Sequence, residues 1–115
     1  MAPPFYSKNG VGNRFSRAGA LLLSSHFAAV FPDSPPGTKF ADWWFHSEAH
    51  RLCYSFECVV PSLLGDHGAT PLSAYMVLTA VSDTRSGRFL SPAQVLALAT
   101  LHRLPLNESW YVRAR

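Results

Sequence analysis

The sequence predicts an α+β fold, a mostly antiparallel sheet with flanking helices, on three observations. Residues 51–60, RLCYSFECVV, alternate between two kinds of side chain with the period of a strand. Residues 75–81, YMVLTAV, are apolar on both alternations and suit a central strand, a natural antiparallel neighbour of the first. Residues 91–104 instead carry a helix-start signal and then Val95, Leu98 and Leu101 at helical spacing.

The chain has 115 residues, 48% hydrophobic and 13% aromatic, which suits one small domain with a core of its own. Nine prolines and seven glycines divide it into short elements. No apolar stretch approaches the roughly 20 residues that span a bilayer, so no membrane partner is expected. A formal charge of +3 and a pI near 9.2 lean towards anionic partners such as nucleic acid or nucleotide phosphate. Lys8, Arg14 and Arg17 all precede the first acidic residue, Asp33. That acid-free start, rich in serine, fits an organelle transit segment, and Arg17 to Val30 a poor secretory signal. His26 and Ser24-Ser25 interrupt the apolar region, so the expected location is nucleus or cytoplasm, with an organelle as the alternative.

Residues 1–15 read as a basic loop containing Ser7-Lys8-Asn9-Gly10-Val11-Gly12, a glycine-containing segment without the spacing of a phosphate-binding loop. Ser16 is a candidate N-cap for a helix over 16–30, so apolar that burial on most sides is expected. Pro32-Asp33-Ser34-Pro35-Pro36-Gly37 is a turn-rich loop. Lys39 to Ala49, with Trp43, Trp44 and Phe45 in succession, fits a helix or an aromatic strand, the helix being preferred. Residues 50–82 hold the two strands and the loop between them, with Gly65, Asp66, His67, Gly68 and Pro71. Leu52, Tyr54, Phe56, Cys58 and Val60 form the predicted core face of the first strand; Cys53, Ser55, Glu57 and Val59 form the other. Ser91 and Gln94 make an S-x-x-Q capping box with Pro92 at the first helical position. The helix should stop before Pro105, and Trp110-Tyr111-Val112 could begin a further strand.

Glu57 is the residue that asks for chemistry. An ionised carboxylate is costly to bury alone, so it either stands in bulk water on an edge strand or faces a solvated cleft. In a cleft it could accept hydrogen bonds from ribose hydroxyls or hold a divalent cation through water. Asp66-His67 has the composition of an acid–base pair, but no serine or cysteine sits in a nucleophile elbow, so a capped turn with a substrate-facing histidine is the plainer reading. Cys53 and Cys58 are five apart, would face opposite sides of one strand, and are expected as free thiols. Among the five histidines only His46 and His50 have i, i+4 spacing, and Ser47 stands where a zinc-protease helix has glutamate. A polar helix face is the expectation there, with no metal held directly.

Ser7-Lys8-Asn9-Gly10 followed by Arg17-Ala18-Gly19, Ser55-Phe56-Glu57 running into Leu64-Gly65-Asp66-His67-Gly68, then residues 75–81, and finally Leu104-Pro105-Leu106-Asn107 leading to Trp110 together resemble the adenylyltransferase domain of plant and algal tRNA ligase. The similarity covers most of residues 5–112, and the L-G-D-H-G segment with the L-P-x-N ending is its most specific part. It implies a ligase-type nucleotidyltransferase fold, with the chain as a partial domain, and ATP-dependent joining of RNA ends, chiefly tRNA exon halves, with Mg²⁺. It maps Glu57 to a ribose or metal-water contact, Phe56 to supporting packing in the nucleotide pocket, and Lys8 to a phosphate or RNA contact. Arg17, Asp66 and His67 are further phosphate or RNA candidates. The resemblance requires Glu57 to face a hollow of nucleotide size.

The departures are equally specific. The family's nucleophilic lysine lies in a K-x-N-G or K-x-D-G motif, whereas Lys8-Asn9-Gly10 lacks the intervening residue and Lys39 sits in no such context. The downstream E-G-x-x and K-x-K motifs are absent too. The polypeptide is therefore expected to be inactive alone, and the alternatives are a noncatalytic RNA- or nucleotide-binding module and a small structural domain.

Overall fold

The computed structural model describes residues 6–7, 10–11, 14–59 and 75–106. In order these are β1 (Tyr6–Ser7), β2 (Gly10–Val11), α1 (Arg14–Val30), α2 (Thr38–Ala49), β3 (Leu52–Val59), β4 (Tyr75–Asp83) and α3 (Pro92–His102). β1 and β2 pair as one two-stranded antiparallel sheet and β3 and β4 as another, so the α+β class holds. The predicted strand near Trp110 lies outside the described residues.

α1 starts at Arg14, which places Ser16 inside the helix as a buried residue rather than at its N-cap. Its buried seam is Gly19, Leu23 and Phe27, while Leu21 is 69% exposed. Burial on most sides is thus corrected to burial along one stripe. Apolar composition sets how much surface could be hidden, but the neighbours a small fold supplies set how much is. α2 is a helix, as preferred. Gly37 caps its start at φ 80°, a left-handed conformation that glycine adopts without steric cost, and Arg51 leaves its end at φ 55°. Trp43 and Ser47, one turn apart, face the core, and the Ser47 hydroxyl donates to the Trp43 carbonyl at 2.7 Å.

β3 runs antiparallel to β4 from Leu52↔Asp83 to Val59↔Tyr75, with a register shift between Ser55 and Phe56. Ser55 pairs with Ala80 and Phe56 with Leu78, so Thr79 is the extra residue of a bulge, and its hydroxyl donates to the Ser55 carbonyl at 3.0 Å. The bulge explains why the buried positions of β4 are Met76, Leu78 and then Val81. On β3 the inner face is Leu52, Tyr54 and Phe56, all half-buried, but Cys58, predicted to lie with them, is exposed. β4 is central in that both its edges are bonded: β3 holds one, while on the other the Leu78 amide donates to Pro105 at 2.7 Å and the Leu90 amide to Val81 at 2.8 Å. Covering on both faces is not seen, since Val77, Thr79, Ala80 and Ser82 stay only half-buried.

The capping box forms as read: Gln94 N donates to Ser91 Oγ at 3.2 Å and Ser91 N to Gln94 Oε1 at 2.8 Å. Val95 and Ala99 are the buried face of α3, with Leu98 beside them, whereas Leu101 is 64% exposed and so not part of the predicted stripe. Arg103, at φ 53°, ends the helix, and the Leu104 amide reaches back to Ala99 at 2.9 Å. Ser91→Ala should cost about 1 kcal/mol by removing one half of this reciprocal pair. Urea denaturation of the variant checks it, and an unchanged midpoint would mean the box is not formed in solution.

The core joins Leu23, Phe27, Trp43, Met76, Leu78, Val81, Val95, Ala99 and Leu104. Trp43 is its aromatic hub, with ring centroids 6.1 Å from Phe27, 5.7 Å from Phe40, 5.2 Å from Tyr54 and 6.4 Å from Phe56.

Candidate functional site

Glu57 stands on the outward face of β3, opposite Val77 on β4, with Ser55 and Cys53 further along the same face. All three β3 residues are exposed, and no ion pair among the described residues engages Glu57. Phe56 projects the other way and is half-buried against the core, its ring near Trp43. The period of two thus separates the candidate pair as alternation demands, one side chain packed against the core and the other exposed.

Lys8, Asp66 and His67 lie outside the described residues. Arg17 is exposed near the start of α1. A cavity of about 210 Å³ lies away from Glu57, against α1 and the following loop, with Ser24, Phe27, Phe31, Lys39 and Phe40 in its lining. Phe31 carries the Lys39 ammonium at 5.2 Å and the Arg103 guanidinium at 5.0 Å from its ring centroid, which ties the first turn of α2 and the end of α3 to the residue that follows α1.

Elsewhere the fold gathers titratable groups that the sequence left apart. His46 and His50 have ring centroids 4.3 Å apart, and His102, from α3, lies 4.7 Å from His46. Burial, then the neighbouring His50, holds the His46 imidazole below the usual histidine range. Burial, then His46, does the same to His102, with Asp42 acting in the opposite sense. The i, i+4 spacing of the first two was legible in the sequence; the arrival of His102 is a tertiary event with no local signal. Among the described residues no group of three histidine, cysteine, aspartate or glutamate side chains is arranged to hold a metal ion. Cys53 and Cys58 are free and exposed, and partial desolvation pushes the Cys58 thiol up, away from the reactive thiolate. Among the described residues no helix is long and apolar enough to cross a membrane.

No protein-family model matches the sequence. No solved structure matches it either, so the nucleotidyltransferase fold that the resemblance implied has no structural neighbour behind it. A search of curated proteins finds tRNA ligase 1 of Arabidopsis thaliana, 35% identical over 112 residues, or 96% of this chain. The chain spans 10% of that relative's length. Over those 112 residues, in agreement with the motifs quoted above, the chain is similar to a segment of tRNA ligase 1.

Proposed function

We propose that this segment serves an ATP-dependent RNA ligase that joins tRNA exon halves, by lining the nucleotide pocket and contacting RNA phosphates. The observation that carries the reading is the 35% identity to tRNA ligase 1 over 112 residues. In the proposed reaction a lysine Nζ attacks the α-phosphorus of ATP, a P–N bond forms and pyrophosphate leaves. The AMP then passes to the RNA 5′-phosphate, and the 3′-hydroxyl of the other RNA end displaces it as the new phosphodiester forms. Mg²⁺, when bound, offsets the charge that develops on the phosphates. The chain's own part follows from its side chains. Glu57 accepts from the ribose hydroxyls or holds a metal-bound water, Phe56 fixes the strand that presents it, and Lys8 and Arg17 meet phosphate. Asp66 and His67 are offered as contacts to the RNA end.

A second reading, a noncatalytic RNA- or nucleotide-binding module, is favoured by one specific observation. Neither Lys8 nor Lys39 stands in a K-x-N-G or K-x-D-G context, and the sequence holds no other lysine. On either reading the 115-residue polypeptide should remain unlabelled after incubation with α-labelled ATP and Mg²⁺. Covalent AMP on Lys8 would overturn that expectation.

Both readings predict binding of 5′-phosphorylated single-stranded RNA that weakens with salt. Replacing Lys8 with alanine should weaken it and lower the slope of log K against log salt by about 0.7, the share of one phosphate contact. Binding with no salt dependence, or none at all, would leave only the small structural domain. Restoration of ligation by a longer polypeptide carrying this segment and a K-x-N-G lysine separates catalysis from binding alone.

A further inference from the structure

The C-terminal ends of α2 and α3 meet through imidazoles. His46 is in the last turn of α2, His50 is its C-cap and His102 is the last residue of α3. His46 and His102 are half-buried and His50 is exposed. Nδ1 of His46 and Nε2 of His102 are buried without a hydrogen-bond partner. A neutral imidazole carries one N–H, whereas the cation must donate through both nitrogens. Charging either ring therefore leaves a buried donor unsatisfied and sets positive charge beside a second imidazole.

Little nearby offsets that charge. From α2, Asp42 favours a cationic His102, against the larger opposing effects of burial and His46. Beyond α3, the Arg103 guanidinium is turned towards α1, over the Phe31 ring and donating to the Val30 carbonyl at 3.3 Å. From α1, His26 Nε2 meets the Arg103 carbonyl rather than the imidazole cluster.

We propose that His46 and His102 form a proton-sensitive latch between the ends of α2 and α3, closed when these two rings are neutral and opened by their protonation. The latch holds more than two helix ends. One residue beyond His102 the chain turns through Arg103, buries Leu104, and offers the Pro105 carbonyl to Leu78 on the outer edge of β4. Opening it loosens that edge. Because His46 and His102 are held below the usual histidine value, the fold prefers them neutral; the stability that depends on this is complete above about pH 6.5 and is lost as pH falls below it.

Urea unfolding of the whole chain at pH 7.5, 6.5 and 5.5, alongside amide exchange corrected for intrinsic rates, tests the latch. Between pH 6.5 and 5.5 the unfolding constant should rise by up to about five-fold for each of the two rings. The double variant His46→Gln/His102→Gln should lose that increase. The Leu78 amide should lose protection at pH 5.5 ahead of the amides that bond β3 to β4. Equal pH dependence in the parent and the double variant, or loss of Leu78 protection only in step with the rest of the sheet, overturns the proposal. Should the double variant fail to fold, His102→Gln alone removes one of the two half-buried rings and must shrink the pH dependence; an unchanged dependence is equally fatal.

Discussion

Trp43→Ala is expected to remove about 3–5 kcal/mol of stability, a large share of the roughly 5–15 kcal/mol that holds a small domain folded. Trp43 is 4% exposed and is in ring contact with α1, its own helix and β3 together, through Phe27, Phe40, Tyr54 and Phe56. Deleting the indole removes three edge-to-face contacts and one tilted one, to Phe27, and opens a cavity that helices and strand cannot all close at once. Two comparisons isolate the cause. Phe45, two residues on, is 58% exposed, so Phe45→Ala should shift the urea midpoint little. Trp43→Phe keeps most of the packing, so it should cost much less than the alanine variant. Equal midpoints for Trp43→Ala and Phe45→Ala would show that this hub is not the centre of the core.

What the sequence made legible follows the range of the interactions. The α3 start was readable because a capping box is complete within four residues, Ser91 to Gln94. The outward place of Glu57 was readable because β3 is covered on one face, and a period of two then fixes each side chain. The bulge at Thr79 was not, since an apolar run such as YMVLTAV shows no break where an extra residue enters one strand. Without the bulge, alternation would put Ala80 in the core instead of Val81. The α1 seam failed for a related reason: residues 17–30 are apolar enough to be buried anywhere, and only the packed neighbours choose Gly19, Leu23 and Phe27. At the candidate site, alternation led to Glu57 and the resemblance added Phe56, while the convergence of His102 on His46 depends on how α3 docks and has no signature in either helix.

Glu57 and Phe56 are adjacent in sequence and should fail in opposite ways. Phe56→Ala withdraws a half-buried ring from the Trp43 and Tyr54 cluster, and about 2–3 kcal/mol of stability should go with it. Glu57→Ala removes an exposed carboxylate from the other face of the same strand and should leave the urea midpoint unchanged. In a polypeptide that carries this segment together with a K-x-N-G lysine, Glu57→Ala should instead lower transfer of AMP from ATP about ten- to hundredfold, the worth of one or two charge-assisted hydrogen bonds to ribose or to a metal-bound water. Glu57→Gln retains an acceptor oxygen but no charge. A ribose contact therefore predicts a partial recovery, and a role in holding Mg²⁺ through water predicts almost none. If both Glu57 variants transfer AMP at the parent rate, the carboxylate is a solvated edge residue, and the nucleotide pocket must be built from other residues of the segment.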